Sequence, residues 1–533
     1  MNTRKKSFSF STPVKIAVGL VLIFLVIFPI VRMFAGMTGE DFNKVFTSPQ
    51  FPTALKNSVV LSLIATAIVI IVAYLLAFFM VRFKVRGKKL LHMLIILPML
   101  IPSISHGMGL IILFGGNGII KNLLGWTNTV YGNIGIVAGS FLYAFPVAYI
   151  MLSDVLRYED MSVYEAADVL GIGKTRQFFR ITLPYMKKPL IAAIFSTFSM
   201  IITDYGVPLM IGGKTKTLSL MMYEDVIGQL DFAKGGVYGA VLLIPAIIAF
   251  VTDIINKDKA SSSYVHKTAE NKNTLSDIIA TVFCAVIALI AILPIISFVI
   301  LAFAKSYPRD MSLTVKNILN TFKRGGDDYL INSLIMATLT ATVGAAFSYI
   351  CAYLTSRMKS ATSRVIHLLI LTFMAIPGIV LGLSYATTFN SSVIYGTMFI
   401  LIMVNTAHFI SSPYLMMYNS FGKMNQNLES VGDTLGISRV RMIKDVFLPQ
   451  NIGTLAEMFS YLFVNCMMTI SAVSFLANMD TKPISLMINQ FEAQMQYECA
   501  AVVSLLILFA NIIMKLIVGA VKMLLARTKR KAA

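Results

Sequence analysis

Five histidines, four cysteines and 25 Asp and Glu are all that this 533-residue chain offers for building a metal centre, a nucleophile or an acid–base pair. Their spacing supports none of these. No His-Glu-x-x-His puts two imidazoles on one helix face, no Gly-x-Ser-x-Gly raises a serine on a strained turn, and no apolar stretch holds paired carboxylates. The Gly-x-x-x-x-Gly-Lys-Ser/Thr loop, whose backbone N–H groups would cradle phosphate, is missing too, so the chain binds no nucleotide in the usual way. Cys284, Cys351, Cys466 and Cys499 lie in or beside apolar runs without Cys-x-x-Cys spacing, which points to packing rather than zinc or disulfides.

The remaining candidates are polar residues set into apolar runs, where they are costly and so mark places a polar cargo could be solvated. Pro102, Ser103, Ser105, His106 and Gly107 form one such group, and Pro377, Gly378, Gly382, Ser384 and Tyr385 stand at the equivalent place 275 residues later. The prolines and glycines open the helix backbone toward a cavity. Asp204 and Tyr205, just before Gly206 and Pro208, form a second group, whose repeat reads Ile470 and Ser471. Ser and Gly in such runs also serve close helix packing, and that is the competing reading for each of them.

A different kind of chemistry, recognition by another protein, is written in two short amphipathic stretches. Ser162 with Glu165 three residues on predicts a capping box, Val163, Ala166 and Leu170 share a helix face, and Gly171 ends the helix. Lys174, Arg176 and Arg180 follow, and Leu183-Pro184 closes the unit. Asp433, Leu435, Gly436, Ile437, Arg441, Leu448 and Pro449 repeat Asp168, Leu170, Gly171, Ile172, Arg176, Leu183 and Pro184 at a constant offset of 265 residues. The copy departs at its head, where Ser430 replaces Glu165 and Val431-Gly432 replace Ala166-Ala167, while Glu429 is expected to meet the positive end of the helix behind Asn427. Two unequal docking helices are predicted.

These stretches must be positioned by a greasy frame. A hydrophobic fraction of 57%, a charged fraction of 13% and a mean hydropathy of +0.78 exclude an ordinary soluble domain and predict an all-α polytopic membrane protein. Apolar runs long enough to cross a bilayer fall at 16–35, 57–81, 90–114, 132–152, 189–212 and 235–255, then at 277–304, 332–356, 365–389, 396–417, 452–475 and 498–520. The net charge of +20 gathers in short segments between these runs, which marks a cytoplasmic side rather than a nucleic-acid surface. With both termini inside, both docking stretches come out cytoplasmic. Asn57-Ser58 and Asn332-Ser333 open the second span of each half at the 275-residue offset, and Leu218 to Met221 match Ile484 to Met487 at 266. An even number of spans per half makes this a parallel repeat, units 1–255 and 277–533 joined by a polar linker at 256–276, with the cargo path expected between the halves. The mixed-charge segments 213–234, 306–329 and 478–497 are expected outside the cell, as a docking surface for a soluble protein.

Glu165-Ala-Ala, three residues, Gly171, nine residues and Ile181-x-Leu-Pro resemble the cytoplasmic loop of binding-protein-dependent ABC importer permeases, and the resemblance covers nearly the full chain as two type I permease units. The runs Leu97 to Ser103 and Asp204 to Leu209, together with the fusion of two units, resemble the ferric iron, phosphonate and thiamine branch. The resemblance implies a bacterial cell-membrane complex of one such chain, two ATP-binding subunits and an extracytoplasmic substrate-binding protein. ATP and Mg would sit on the partners, with no cofactor on this chain. Glu165, Ala166, Ala167, Asp168, Gly171, Leu183 and Pro184, with Glu429, Asp433, Gly436, Leu448 and Pro449, would couple to the ATPases, whose closure pulls the two helices together. The cargo would be ferric iron or a small organophosphonate, with thiamine or polyamine behind. An ion-gradient-driven secondary transporter is the alternative, but that class wants coupled acids and bases at mid-membrane, and this chain has almost none.

Overall fold

The computed structural model describes residues 11–125, 129–256 and 274–532; the linker expected at 256–276 lies almost wholly outside the described residues. Among the described residues helix dominates, with one two-stranded hairpin, Ala304–Ser306 against Asp310–Leu313. Among the described residues nine helices are long and apolar enough to cross a membrane, or eleven if two bent pairs each count as one span. Leu448–Met468, which answers to the run at 452–475, is 21 residues long but carries Gln450, Asn451, Glu457 and Asn465 and is not among them.

The third span of each half is not one rod. Lys88–Ile96 gives way to a short 3-10 turn at Leu97–Leu100, Ile101 turns extended, and a fresh helix Ser103–Phe114 starts after Pro102. In the second half Ala361–Phe373 and Gly378–Phe389 meet across Pro377 at a bend of 104°. Proline supplies no N–H and pushes the residue before it out of the helical region, so an apolar run that reads as continuous must break there.

Two compact units are present, and they do not follow the halves of the sequence. One comprises Gly39–Thr321 with Ile488–Leu505, the other Met1–Thr38, Phe322–Met487 and Leu506–Ala533. In the former, Gln50–Arg82 lies along Asn133–Arg157, with Ala65, Ala73 and Ala77 sharing a core with Ala144 and Ala148, small side chains that let two helices approach. Thr274–Ala302, the first span of the second half, packs on Lys88–Ile96 and Ser103–Phe114 here, so closely that a Cβ on Gly109 would lie 2.5 Å from Cβ of Pro294. In the other unit Asp327–Ser356 packs on Leu448–Met468 and Ser411–Gly422. The first span of the chain joins it: Lys15 donates to the Met358 carbonyl at 2.6 Å and to Ser360 Oγ at 3.0 Å. Each half thus lends its first span to the fold of the other.

Below these exchanges the repeat holds to single contacts. His92 Nδ1 bonds Tyr149 Oη at 2.8 Å, and His367 Nδ1 bonds Tyr414 Oη at 2.6 Å, tying the third span to the fourth in both units.

Candidate docking helices and membrane path

The first candidate docking helix is Ser162–Val169, two turns long. Its start differs from the predicted capping box: Met161 is the cap residue without a side-chain bond, Ser162 is already helical, and its N–H is taken by Asp160 Oδ1 at 3.0 Å. Its end is as expected, since Gly171 adopts φ +68° and the Ile172 N–H returns to the Ala167 carbonyl at 2.9 Å. Asp168 is bonded by Lys174 at 2.6 Å and by Gln177 at 2.5 Å, and these bonds hold its exposed carboxyl below the usual range. The second copy, Leu428–Thr434, ends identically: Gly436 has φ +67°, the Ile437 N–H reaches the Gly432 carbonyl at 2.9 Å, and Arg439 pairs with Asp433 at 2.5 Å. A Cβ at either glycine would meet nothing, so only the left-handed backbone resists a side chain. Gly171→Ala and Gly436→Ala should therefore each cost about 1 kcal/mol, read as a lower melting temperature of the purified chain; no change at both would show that the turn is not held.

Each candidate docking helix is moored to the end of a span by a largely buried arginine. Arg82, the last residue of Gln50–Arg82, pairs with Glu159 at 2.5 Å and lies over the Tyr164 ring, 4.5 Å from its centre, while the Tyr164 hydroxyl bonds Glu159 and Thr182. Arg357, its counterpart 275 residues on, grips Glu429 with Nε (2.6 Å) and Nη2 and lies 5.3 Å from the centre of the Phe447 ring. At the 265-residue offset Glu159, Tyr164 and Thr182 align with Met424, Glu429 and Phe447. Between the copies the acid has moved to the position of the ring and the ring to a third position, yet each arginine keeps one anion and one ring. Glu429 is therefore turned inward, not outward at the head of the helix, and Asp433 remains as the exposed acid of the second copy. Gly432 has a steric cause: a Cβ there would lie 2.2 Å from Sδ of Met442, which stands where the first copy has Gln177.

What the moorings leave outside is apolar. Val169 and Leu170 are 88% and 75% exposed, Leu435 and Val440 68% and 76%, and Val163 and Val431 are exposed as well. Ala167 faces inward, while Glu165, Ala166, Asp168, Gly171, Leu183 and Pro184 in the first copy and Asp433, Gly436, Leu448 and Pro449 in the second are exposed. Glu457 sits apart from both, paired with Lys522.

The polar residues of the spans divide in two. Ser103 is hydrogen-bonded to the Asp204 carboxylate, whose Oδ2 also accepts the Val207 N–H at 2.9 Å, and Tyr205 stacks on Tyr223 with ring centres 4.5 Å apart. His106, fully buried, bonds the Pro102 carbonyl through Nδ1 and faces the Tyr143 ring, with no protein partner for Nε2. Ser105 bonds Ser504 and Tyr385 the Leu25 carbonyl, bonds that tie helices together, whereas Ser384 bonds the Leu381 carbonyl within its own helix. Sequence reasoning missed His408, which stands at the position of Tyr143 and touches Gly378 together with Ser471. The signal was the 265-residue offset itself, applied to a position where the residue types differ.

The Asn-Ser pairs that open the second spans also acquire a role. Asn57 Nδ2 donates to the Lys216 carbonyl at 3.0 Å and Ser58 Oγ accepts the Leu218 N–H at 2.7 Å; Asn332 reaches the Asp480 carbonyl at 2.7 Å and Ser333 the Ile484 N–H at 2.8 Å. Ser219 Oγ and Ser485 Oγ then bond the Asp204 and Thr469 carbonyls. In each copy the same clamp holds the segment after the fifth span.

The family described as binding-protein-dependent transport system inner membrane component matches residues 69–257 and again 344–525. This chain belongs to it. The permease is 24% identical to the ferric transport system permease protein FbpB of Actinobacillus pleuropneumoniae over 87% of this chain and 71% of that protein. It is 25% identical to putative ferric transport system permease protein FbpB 1 of Haemophilus influenzae over 87% and 77%. The sulfate transport system permease protein CysT of Escherichia coli matches 41% of the permease, at 24% identity over 81% of its own length. The permease is thus a fused two-unit type I ABC importer subunit, a multi-pass membrane protein with the domain present twice.

Proposed function

We propose that the permease is driven by ATP hydrolysed on two partner subunits, which grip Ser162–Val169 and Leu428–Thr434 at the cytoplasmic face, and that it passes cargo received from an extracytoplasmic binding protein. The observation that carries this is the repeated geometry: two short helices, each ended by the same left-handed glycine, each moored by a largely buried arginine, each presenting leucine or valine to solvent beyond the ends of the spans. Exposed apolar residues on otherwise polar segments have a reason when a partner covers them. Both termini then lie inside, and the 213–234, 306–329 and 478–497 segments face the binding protein. Ser103, His106, Asp204 and Tyr205 are the residues of the path nearest to solvating a cargo. Ferric iron is the favoured cargo, on the strength of relatives that match 87% of the chain, ahead of a small organophosphonate.

The test is uptake into proteoliposomes that hold the permease with its ATPase subunits and binding protein. Ferric iron accumulation that needs ATP and survives collapse of the ion gradients is expected. Uptake that persists without ATP and stops with the gradient would place the chain among secondary transporters instead.

A further inference from the structure

Tyr223 and Asn489 are the same position in the two copies, 266 residues apart, and they touch: Asn489 Nδ2 donates to Tyr223 Oη at 3.3 Å, inside one compact unit. Positions that an internal two-fold exchanges can meet only where its axis runs, and the path of a parallel repeat follows that axis. Depth in the membrane comes from the second span. Ser58, which clamps the segment leading to Tyr223, and Arg82, which moors the docking helix, sit 24 residues apart on the unbroken helix Gln50–Arg82. At 1.5 Å per residue that is about 36 Å, more than the roughly 30 Å of a hydrocarbon core. Ser333 and Arg357 repeat the spacing at the two ends of Asp327–Ser356.

We infer that Tyr223 and Asn489 form the contact that closes the cargo path at the membrane face opposite the docking helices, a reading that rests on the proposed transport function and names its outer gate. The contact is made by neutral hydrogen-bonding groups. Its wall is unequal: Tyr205 stacks on Tyr223 from the first copy, whereas Ser471, at the position of Tyr205, offers Asn489 no ring. The two Asn-Ser clamps hold both gate segments at their bases, so movement of the second spans is carried to the gate without an intervening loop. A gate without charge also leaves selection by sign to the binding protein.

The gate is tested in the assembled complex with Tyr223→Cys and Asn489→Cys together, the single substitutions serving as controls for the four native cysteines, which are buried. Because the contact is made at the tyrosine hydroxyl rather than near the backbone, a short bifunctional methanethiosulfonate is used to bridge the two thiols; without nucleotide it should link the pair and reduce ATP-driven uptake to background, with recovery on reduction. Trapping the ATPases with vanadate should lower the yield of the link several-fold, because the outer face is then open. A link that leaves uptake intact, a yield unchanged by trapping, or no link at all would each overturn the assignment. The wild-type complex reports separately on the transport reading: if it shows no ATP-dependent uptake, that reading fails, whatever the cross-link yields say about the contact.

Discussion

Glu159→Met should strip the first docking loop of its mooring, and adding Tyr164→Glu should restore much of it. The first change leaves the Arg82 guanidinium buried without an anion, and removing one partner of a buried pair costs about 3–5 kcal/mol. The second puts a carboxylate where Glu429 already serves Arg357, and Thr182→Phe completes the transplant by supplying the ring that Phe447 gives the second copy. Proteolysis of the 158–184 segment and the melting temperature of the purified complex read the outcome. A neutral Glu159→Met, or a Tyr164→Glu that deepens the damage, would show that the two moorings are not alternative solutions of one problem.

The other large effect is expected on the exposed face. Val169→Asp with Leu170→Asp, and Val431→Asp with Leu435→Asp, replace side chains whose full burial stabilises by about 1.5–3 kcal/mol each, so capture of ATPase subunits should weaken at least about a hundredfold per helix. The fold should stand, because these side chains are largely in solvent before a partner arrives. Glu165→Arg should weaken capture more than Ser430→Arg, since only the first copy offers an acid at that position. Undiminished capture with both faces charged would remove the docking helices from the coupling mechanism, and equal loss from the two arginine substitutions would remove their inequality.

Most of the frame was legible from pattern. Apolar length located the spans because a bilayer demands about 20 apolar residues per crossing, and offsets of 265, 266 and 275 residues exposed the repeat because backbone geometry preserves glycine, proline and turn positions. The left-handed turns at Gly171 and Gly436 follow from local sequence alone. Less legible were the extents of the breaks at Pro102 and Pro377, where hydropathy runs on while the helix stops, and the start of Ser162–Val169, where the expected capping box yields to Asp160 two residues earlier.

By itself, then, the sequence determined what is local or periodic: an all-α membrane chain, two copies of one permease unit, and two short amphipathic helices with their terminating glycines. Only the tertiary structure decided which residues meet across hundreds of positions. It sent the first span of each half into the fold of the other, gave Arg82 and Arg357 their acids from unlike positions, turned Glu429 inward and joined Tyr223 to Asn489. The physical reason is that a cation taken out of water needs an anion nearby in space, and gains from a ring, and any neighbouring position can supply either, so the residue types move while the site persists.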